Sequence, residues 1–110
     1  MRKRLVTSSA ATVQARSEGW LDLERAATVE QINAAFKAAS ESGSLAGGRL
    51  VYTEDPIVSS DIVGSPASCT FDALSTMAMG DVAKIVGWYD NEWGYSNRLV
   101  DLVDLVARSL

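Results

Sequence analysis

The sequence predicts an α+β fold in which an antiparallel or mixed sheet is covered by helices. Three observations indicate this class: a capped helical pattern over residues 28–39, β-branched runs separated by turn residues over 49–89, and a strongly apolar helical pattern at the end of the chain. The length of 110 residues is that of a single ordinary domain. We therefore expect one α+β unit.

Residues 1–17 form a basic segment that differs from the rest of the chain. They include no acidic residue, so the net charge of −4 arises from an acidic excess in residues 18–110. We expect an unstructured leader here, with an organelle-targeting segment as the less favoured alternative. The acidic remainder argues against a nucleic-acid surface, because phosphate binding requires clustered Lys and Arg.

A capping pattern predicts the first helix. Thr28 and Gln31 have the spacing of a capping box, in which two side chains satisfy backbone amides at a helix start. Ser42-Gly43 end the pattern. Between them, apolar residues follow at helical spacing: Val29, Ile32, Ala35, Phe36 and Ala39. The preceding stretch EGWLDLE, residues 18–24, alternates weakly and is predicted as a strand.

Two strands are predicted in the middle of the chain. RLVYT, residues 49–53, is predicted as a strand that ends before Pro56, since proline lacks an amide donor. IVSSDIV, residues 57–63, is β-branched and is predicted to hold a short strand. Its Ser and Asp residues are interpreted as turn-capping groups rather than as a hydrolytic site.

A hairpin is predicted around Gly80-Asp81. Residues 75–79 and 82–88 flank this dipeptide, which suits a two-residue turn with glycine at positive φ. The second of these strands is almost continuously apolar. We therefore expect it to be covered on both faces.

The C-terminal pattern predicts a helix that is apolar around most of its circumference. Its only polar stripe is narrow, so we expect neighbours on more than one side of the helix. The apolar positions are Tyr95, Leu99, Leu102, Val103, Val106 and Leu110. The polar stripe contains Arg98, Asp101, Asp104 and Arg108.

The composition excludes several kinds of chemistry. The chain contains no histidine, which removes the commonest general base near neutral pH and the commonest metal ligand. Cys69 is the single cysteine, and without histidine it is interpreted as structural rather than nucleophilic. We therefore predict no catalytic residue and no metal site. The sequence also lacks an apolar run long enough to suggest a membrane span.

The stretch WYDNEWGYSNR, residues 88–98, carries the candidate site. Asn91 offers both a donor and an acceptor, which suits a planar amide ligand, and Tyr95 follows four residues later. In the alternative interpretation, Asn91 caps the helix and the aromatic residues fill the core. The chemistry of the residues alone leaves both interpretations open.

The same stretch, extended to WYDNEWGYSNRLVDLV, resembles the C-terminal signature of phosphorylating glyceraldehyde-3-phosphate dehydrogenases. VYTEDPIVSSDIVGSPASCTFDALSTMAMG continues that family's pattern without a gap, and TVEQINAAFKAASE resembles the first helix of its catalytic domain. The resemblance extends over residues 18–110, which we interpret as the C-terminal part of the catalytic domain. Residues 1–17 do not match and remain an unmatched basic leader.

The resemblance implies an enzyme that oxidises an aldehyde through a cysteine thiohemiacetal, passes hydride to NAD and releases the thioester to inorganic phosphate in glycolysis. It implies that Asn91 hydrogen-bonds the nicotinamide carboxamide and that Tyr95 packs beside the nicotinamide ring. It also implies that the C-terminal helix lies in a groove of a nucleotide-binding domain. A cytoplasmic location follows from the same resemblance.

Several parts of the family's machinery have no counterpart here: the nucleophile, its histidine base, the dinucleotide fingerprint and a phosphate-binding arginine. The sequence around Cys69 mimics the nucleophile motif, but Phe71 stands where a threonine is expected. We expect a catalytic-domain fragment that is inactive and does not bind NAD measurably by itself. Its expected partner is the missing nucleotide-binding domain. Alternatively, it is a non-catalytic module that joins full-length dehydrogenase subunits.

Overall fold

The structure, a computed structural model, describes the backbone of residues 2–8 and 14–110 and the side chains of residue 16 and residues 18–110. Its two longer helices are α1 (Val29–Glu41) and α2 (Trp93–Arg108). The strands are β1 (Arg2–Ser8), β2 (Gln14–Asp22), β3 (Leu50–Thr53), β4 (Cys69–Asp72), β5 (Met77–Met79) and β6 (Val82–Asp90). Short 3₁₀ turns cover Gly43–Leu45, Ser59–Ile62 and Ala73–Ser75.

The strands within the described residues form one mixed sheet. The order is β1-β2-β6-β4-β3. β5 pairs with residues 82–84 of β6, and β4 pairs with residues 87 and 88 of the same strand. The β3–β4 pair is parallel and the other pairs are antiparallel. The predicted α+β class with a mixed sheet is therefore confirmed.

Helix α1 begins at the predicted capping box. The Thr28 hydroxyl accepts a hydrogen bond from the Gln31 amide at 3.1 Å, and the Gln31 side-chain oxygen accepts one from the Thr28 amide at 2.9 Å. The helix ends at Ser42, which is followed by Gly43 at a φ of 81°. The predicted start and stop of this helix are both confirmed.

Helix α1 covers one face of the sheet. Ile32 packs with Leu21 of β2 and Ala83 of β6, and Phe36 stacks on Phe71 of β4 with ring centroids 4.1 Å apart. Val86 lies three residues after Ala83, so its side chain points to the opposite face, where it is fully buried. β6 is therefore covered on both faces, as its apolar sequence predicted.

The predicted hairpin is also present, but its first strand covers Met77–Met79 and not residues 75–79, since Ala73–Ser75 form a 3₁₀ turn. β5 and β6 pair with Met79 opposite Val82, which leaves Gly80-Asp81 as the two-residue turn. Gly80 adopts a φ of 59° at the first turn position, a conformation that suits glycine.

The expectation of an unstructured leader is wrong for the described part of residues 1–17. Residues 2–8 form β1, and residues 14–17 begin β2, which pairs antiparallel with both β1 and β6. A strand is held by backbone hydrogen bonds to its neighbours, so a basic stretch without clear alternation can still be a strand. Residue 1 and residues 9–13 lie outside the described residues.

The short strand predicted within residues 57–63 is also wrong. Ser59–Ile62 form a 3₁₀ turn in which the Asp61 carboxylate accepts a hydrogen bond from the Val58 amide at 2.8 Å. This local bond competes with strand pairing and favours the turn. The capping role expected for the Ser/Asp cluster is confirmed at Asp61.

Replacing Phe36 by Ala should lower the free energy of unfolding by about 3 kcal/mol, because the substitution removes the ring stacked on Phe71 and leaves a cavity. Urea unfolding followed by circular dichroism measures this loss. Glu41→Ala, at an exposed position of the same helix, is the matched control and should change the free energy by less than about 0.5 kcal/mol. Equal effects of the two substitutions would contradict this account of the core.

Candidate functional site

The candidate site lies where β6 passes into α2. β6 ends at Asp90, a two-residue turn of Asn91 and Glu92 follows, and α2 begins at Trp93. The first helical hydrogen bond runs from the Ser96 amide to the Glu92 carbonyl at 2.9 Å. Groups at the end of a strand and the start of a helix therefore meet within a few residues.

Asp90 organises this junction. Its side chain is 4% exposed, and one carboxylate oxygen accepts hydrogen bonds from the backbone amides of Glu92 at 3.1 Å and Trp93 at 3.0 Å. The other oxygen accepts one from the Gly64 amide at 2.9 Å. Asp90 thus satisfies amides at the start of α2 and in a separate turn that follows the Ser59–Ile62 segment.

The hydrogen bonds to Asp90 lower the pKa of its carboxyl group. The bond from the Trp93 amide is the largest cause, followed by that from Gly64, and partial desolvation acts in the opposite direction. The ionised carboxylate at a helix N-terminus is also favoured by the helix dipole. Asp90 is therefore a fixed anion near neutral pH.

Asn91 and Tyr95, the two predicted cofactor-binding residues, are both exposed at this junction. Asn91 lies in the turn that precedes α2, and Tyr95, which is 68% exposed, lies in the first turn of the helix. The carboxylate of Asp90 accepts the hydrogen bonds from the Glu92 and Trp93 amides, and the residue at the N-cap position of α2 is Glu92. Asn91 itself lies exposed next to this cap.

The aromatic residues of the junction divide into two groups. Trp88 and Tyr89 are half-buried in β6, and the indole of Trp88 donates to the Asp72 carboxylate at 3.1 Å. Trp93 and Tyr95, by contrast, are exposed. The interpretation in which the aromatic residues fill the core therefore fits the strand residues but not the helix residues.

Helix α2 is attached to the sheet through its first turns. Gly94 is buried, and a Cβ atom at this position would lie 2.5 Å from the carbonyl oxygen of Ala67. One turn later, the Arg98 guanidinium donates to the Ser68 hydroxyl at 3.0 Å and to the Asp101 carboxylate at 2.9 Å. The start of α2 is thus held against the loop that precedes β4.

The remainder of α2 is exposed in this chain. We predicted neighbours on more than one side of the helix. Among the described residues, the close contacts lie around its first two turns, and Arg49 approaches Asp101 in the third turn, with 3.9 Å between Nε and Oδ2. Large apolar side chains exposed on and after the helix are Trp93, Tyr95, Leu99, Val100, Leu102, Val103, Leu105, Val106 and Leu110. Such a continuous apolar surface is characteristic of an interface.

Cys69 and the acidic residues provide no second site. The Cys69 thiol is half-buried in β4, and burial raises its pKa, which disfavours the reactive thiolate at neutral pH. Among the described residues, no group of three His, Cys, Asp or Glu side chains is arranged to hold a metal ion. In the same part of the chain, neither helix is long and apolar enough to cross a membrane.

Comparison with known proteins identifies the family. The sequence profile of the glyceraldehyde 3-phosphate dehydrogenase C-terminal domain matches residues 9–91. This chain belongs to the glyceraldehyde-3-phosphate dehydrogenase family. The match begins within the segment 1–17, which the sequence analysis had left outside the resemblance.

Individual members of the family are similar over most of this chain. Glyceraldehyde-3-phosphate dehydrogenase 2 of Streptomyces avermitilis is 62% identical over 91 residues, which cover 82% of this chain and 27% of that protein. The glyceraldehyde-3-phosphate dehydrogenase of Streptomyces coelicolor is 59% identical over the same length, with the same coverage. That of Mycobacterium tuberculosis is 61% identical over 90 residues, 82% of this chain and 26% of the relative. The chain thus spans about a quarter of the length of these relatives.

The structural roles of Asp90 and Gly94 were not predicted from the sequence. An Asp followed by the start of an apolar helix is a capping signal, so Asp90 could have been assigned as a cap in place of Asn91. Its bond to Gly64 could not have been found, because the two residues are 26 positions apart. The requirement for glycine at position 94 likewise depends on a distant carbonyl.

Acid should weaken the contribution of Asp90 to stability. Because the pKa of this carboxyl group is lowered on folding, its stabilising effect is complete above the unfolded value of about 4 and is lost as the pH falls below it. The difference in urea midpoint between the native chain and Asp90→Asn should therefore be largest near neutral pH and shrink in acid. A difference that stays constant with pH would contradict this assignment.

Gly94→Ala should loosen the attachment of α2. The added methyl group would lie 2.5 Å from a backbone carbonyl oxygen, which places the overpacking cost toward the upper part of the usual range of about 1–3 kcal/mol. That cost exceeds the roughly 1 kcal/mol that Ala gains over Gly in helix propensity. Urea unfolding and amide exchange in α2 measure the effect. Ser96→Ala, at an exposed position of the same helix, should be neutral or slightly stabilising. Equal stability of the two variants would show that the close approach is no constraint.

Proposed function

We propose that this chain forms the C-terminal part of an NAD-dependent glyceraldehyde-3-phosphate dehydrogenase that acts in glycolysis in the cytoplasm. The observation that carries the proposal is the exposure of Asn91 and Tyr95 at the base of α2, whose apolar surface is uncovered in this chain. In this proposal, a nucleotide-binding domain covers α2 and brings the coenzyme to the junction. Family membership and the similarity to whole dehydrogenases support it.

The junction fits a nicotinamide carboxamide. The Asn91 side chain can donate from its nitrogen and accept at its oxygen, which matches the acceptor and donor of the carboxamide. Tyr95 offers an exposed ring that can pack against the nicotinamide. NAD would supply the hydride acceptor of the reaction, and this chain would orient its reactive ring. The single cysteine is not a reactive nucleophile in this proposal, since the Cys69 thiol is half-buried with a raised pKa.

The two contacts are too weak to hold NAD by themselves. A neutral hydrogen bond contributes about 0.5–1.5 kcal/mol net, and an aromatic contact contributes a similar amount. Even millimolar affinity requires about 4 kcal/mol. The remainder of the binding energy therefore has to come from a nucleotide-binding domain.

The chain alone should neither bind NAD measurably nor reduce it in the presence of glyceraldehyde 3-phosphate and inorganic phosphate. Calorimetry and absorbance at the reduced-coenzyme band measure the two properties. A hybrid enzyme, in which residues 18–110 of this chain replace the corresponding C-terminal region of the Streptomyces avermitilis relative, should reduce NAD. Turnover by the chain alone, or an inactive but folded hybrid, would contradict the proposal.

Asn91→Ala in this hybrid should raise the KM for NAD by roughly 2- to 10-fold, the equivalent of one neutral hydrogen bond. Steady-state kinetics at saturating aldehyde and phosphate measure the change. Asn97→Ala is the matched control, because the Asn97 amide donates within α2 itself, to the Trp93 carbonyl at 2.9 Å. An unchanged KM in Asn91→Ala would remove Asn91 from the proposed coenzyme site.

A second candidate function is that of a non-catalytic module that joins full-length dehydrogenase subunits. An exposed apolar patch on the sheet favours it: Trp20, Met77 and Met79 border a hollow of about 210 Å³ that Val82 and Lys84 also line. Contiguous apolar surface of this kind is characteristic of protein contacts. Edge strand β3 offers further unpaired backbone groups.

Co-expression with the full-length Streptomyces avermitilis relative separates the two functions. A mixed oligomer of defined mass, measured by light scattering after size-exclusion chromatography, would support the module. Aggregation, or separate elution of the two proteins, would argue against it and leave the catalytic-domain interpretation. Met79→Glu should abolish a mixed oligomer that forms through the patch, whereas Glu41→Ala, on α1, should not affect it.

A further inference from the structure

We infer that Asp90 is the positioning residue of the coenzyme site, because it fixes the turn that carries Asn91. This inference rests on the proposed function, in which Asn91 contacts the coenzyme. The hydrogen bonds of Asp90 from which it is argued do not depend on that function. Asp90 itself is buried and cannot touch a ligand at the surface. It would act through Asn91, the next residue in the chain.

The backbone around Asn91 is held on both sides. The backbone on the N-terminal side of Asn91 is held by β6, in which Asp90 is the last residue. On its C-terminal side, the amides of Glu92 and Trp93 both donate to the same oxygen of Asp90, at 3.1 and 3.0 Å. Asn91 is therefore enclosed in a short ring closed by the Asp90 side chain. Closing the ring restricts the backbone torsions of Asn91 and so the direction of its Cα–Cβ bond, from which the side-chain amide projects.

Asp90 also connects this turn to a distant segment. The other oxygen of Asp90 accepts from the Gly64 amide at 2.9 Å, in a turn where Gly64 has a φ of 79°. Three residues later, the Ala67 carbonyl lies against Gly94 in the first turn of α2. Two contacts thus join the same pair of segments on either side of Asn91. The turn is anchored to the body of the chain and not only to its own helix.

A fixed turn should increase the affinity of Asn91 for its ligand. A side chain that projects from a fixed backbone loses less conformational freedom when it binds a planar carboxamide, so more of the hydrogen-bond energy remains as affinity. Asp90 would supply this preorganisation as an ionised, buried acceptor. A carboxylate suits the role better than an amide, because all three partners are donors. An asparagine would turn its own NH₂ group toward one of them.

The inference is tested on the 110-residue chain by NMR, which requires no coenzyme. In the native chain, the backbone order parameter at Asn91 should be close to 0.85, the value of rigid backbone. Asp90→Asn should lower it toward 0.6 and accelerate exchange of the Gly64, Glu92 and Trp93 amides by at least about tenfold. An unchanged order parameter at Asn91 in a folded variant would overturn the inference.

Asp61→Asn is the matched control. The Asp61 carboxylate also accepts a backbone amide in a turn, that of Val58 at 2.8 Å, but it has no hydrogen bond to the segment 90–93 among those described. Its substitution should leave the order of Asn91 as it is in the native chain. Equal loss of order in both variants would mean that any loss of stability loosens Asn91, which would also overturn the inference.

If Asp90→Asn fails to fold, exchange in the native chain decides instead. The amides of Gly64, Glu92 and Trp93 should then exchange with similar protection, because one carboxylate holds all three. Gly64 exchanging far faster than the other two would contradict the inference. In the hybrid enzyme, Asp90→Asn should raise the KM for NAD more than it lowers kcat. A hybrid that is inactive with Asp90 intact refutes the proposed function alone, since the NMR result stands without it.

Discussion

The junction between sheet and C-terminal helix depends on one buried carboxylate. Asp90 accepts hydrogen bonds from three backbone amides, two at the start of α2 and one in the turn at Gly64. Each of these amides would otherwise need another partner, and a charged acceptor makes stronger bonds than a neutral one. These bonds tie the start of α2 to the end of β6 and to the turn at Gly64, next to the exposed Asn91.

The helix that leaves this junction has little to pack against within the described residues. Burying one of its Leu or Val side chains would contribute about 1.5–3 kcal/mol, and most of them remain in water. Its first turns are nevertheless closely fitted, through Gly94 against Ala67 and Arg98 against Ser68. A helix that is anchored at one end and apolar along the rest presents a surface of the kind found at interfaces. The proposed function assigns the cover of this surface to a nucleotide-binding domain.

The elements that depend on residues close together in the sequence were predicted correctly. The Thr28–Gln31 capping box, the Gly80-Asp81 turn and the helical spacing of α2 each depend on residues a few positions apart, and each was confirmed. The strand predicted over 57–63 was wrong, because the Asp61 carboxylate favours a turn over pairing. β1 was missed because its hydrogen-bond partner β2 is decided by chain topology and not by its own basic composition.

The sequence by itself determined the class of the fold, the family and the two residues proposed to meet the coenzyme, because these follow from local patterns and a contiguous signature. Only the tertiary structure decided that Asp90 also joins the start of α2 to the turn at Gly64, and that a side chain at position 94 would meet the Ala67 carbonyl. Gly64 and Ala67 supply the second partner in those contacts, and they approach only after the chain has folded. A hydrogen bond or a steric limit between distant residues leaves no periodicity in the sequence from which it could be predicted.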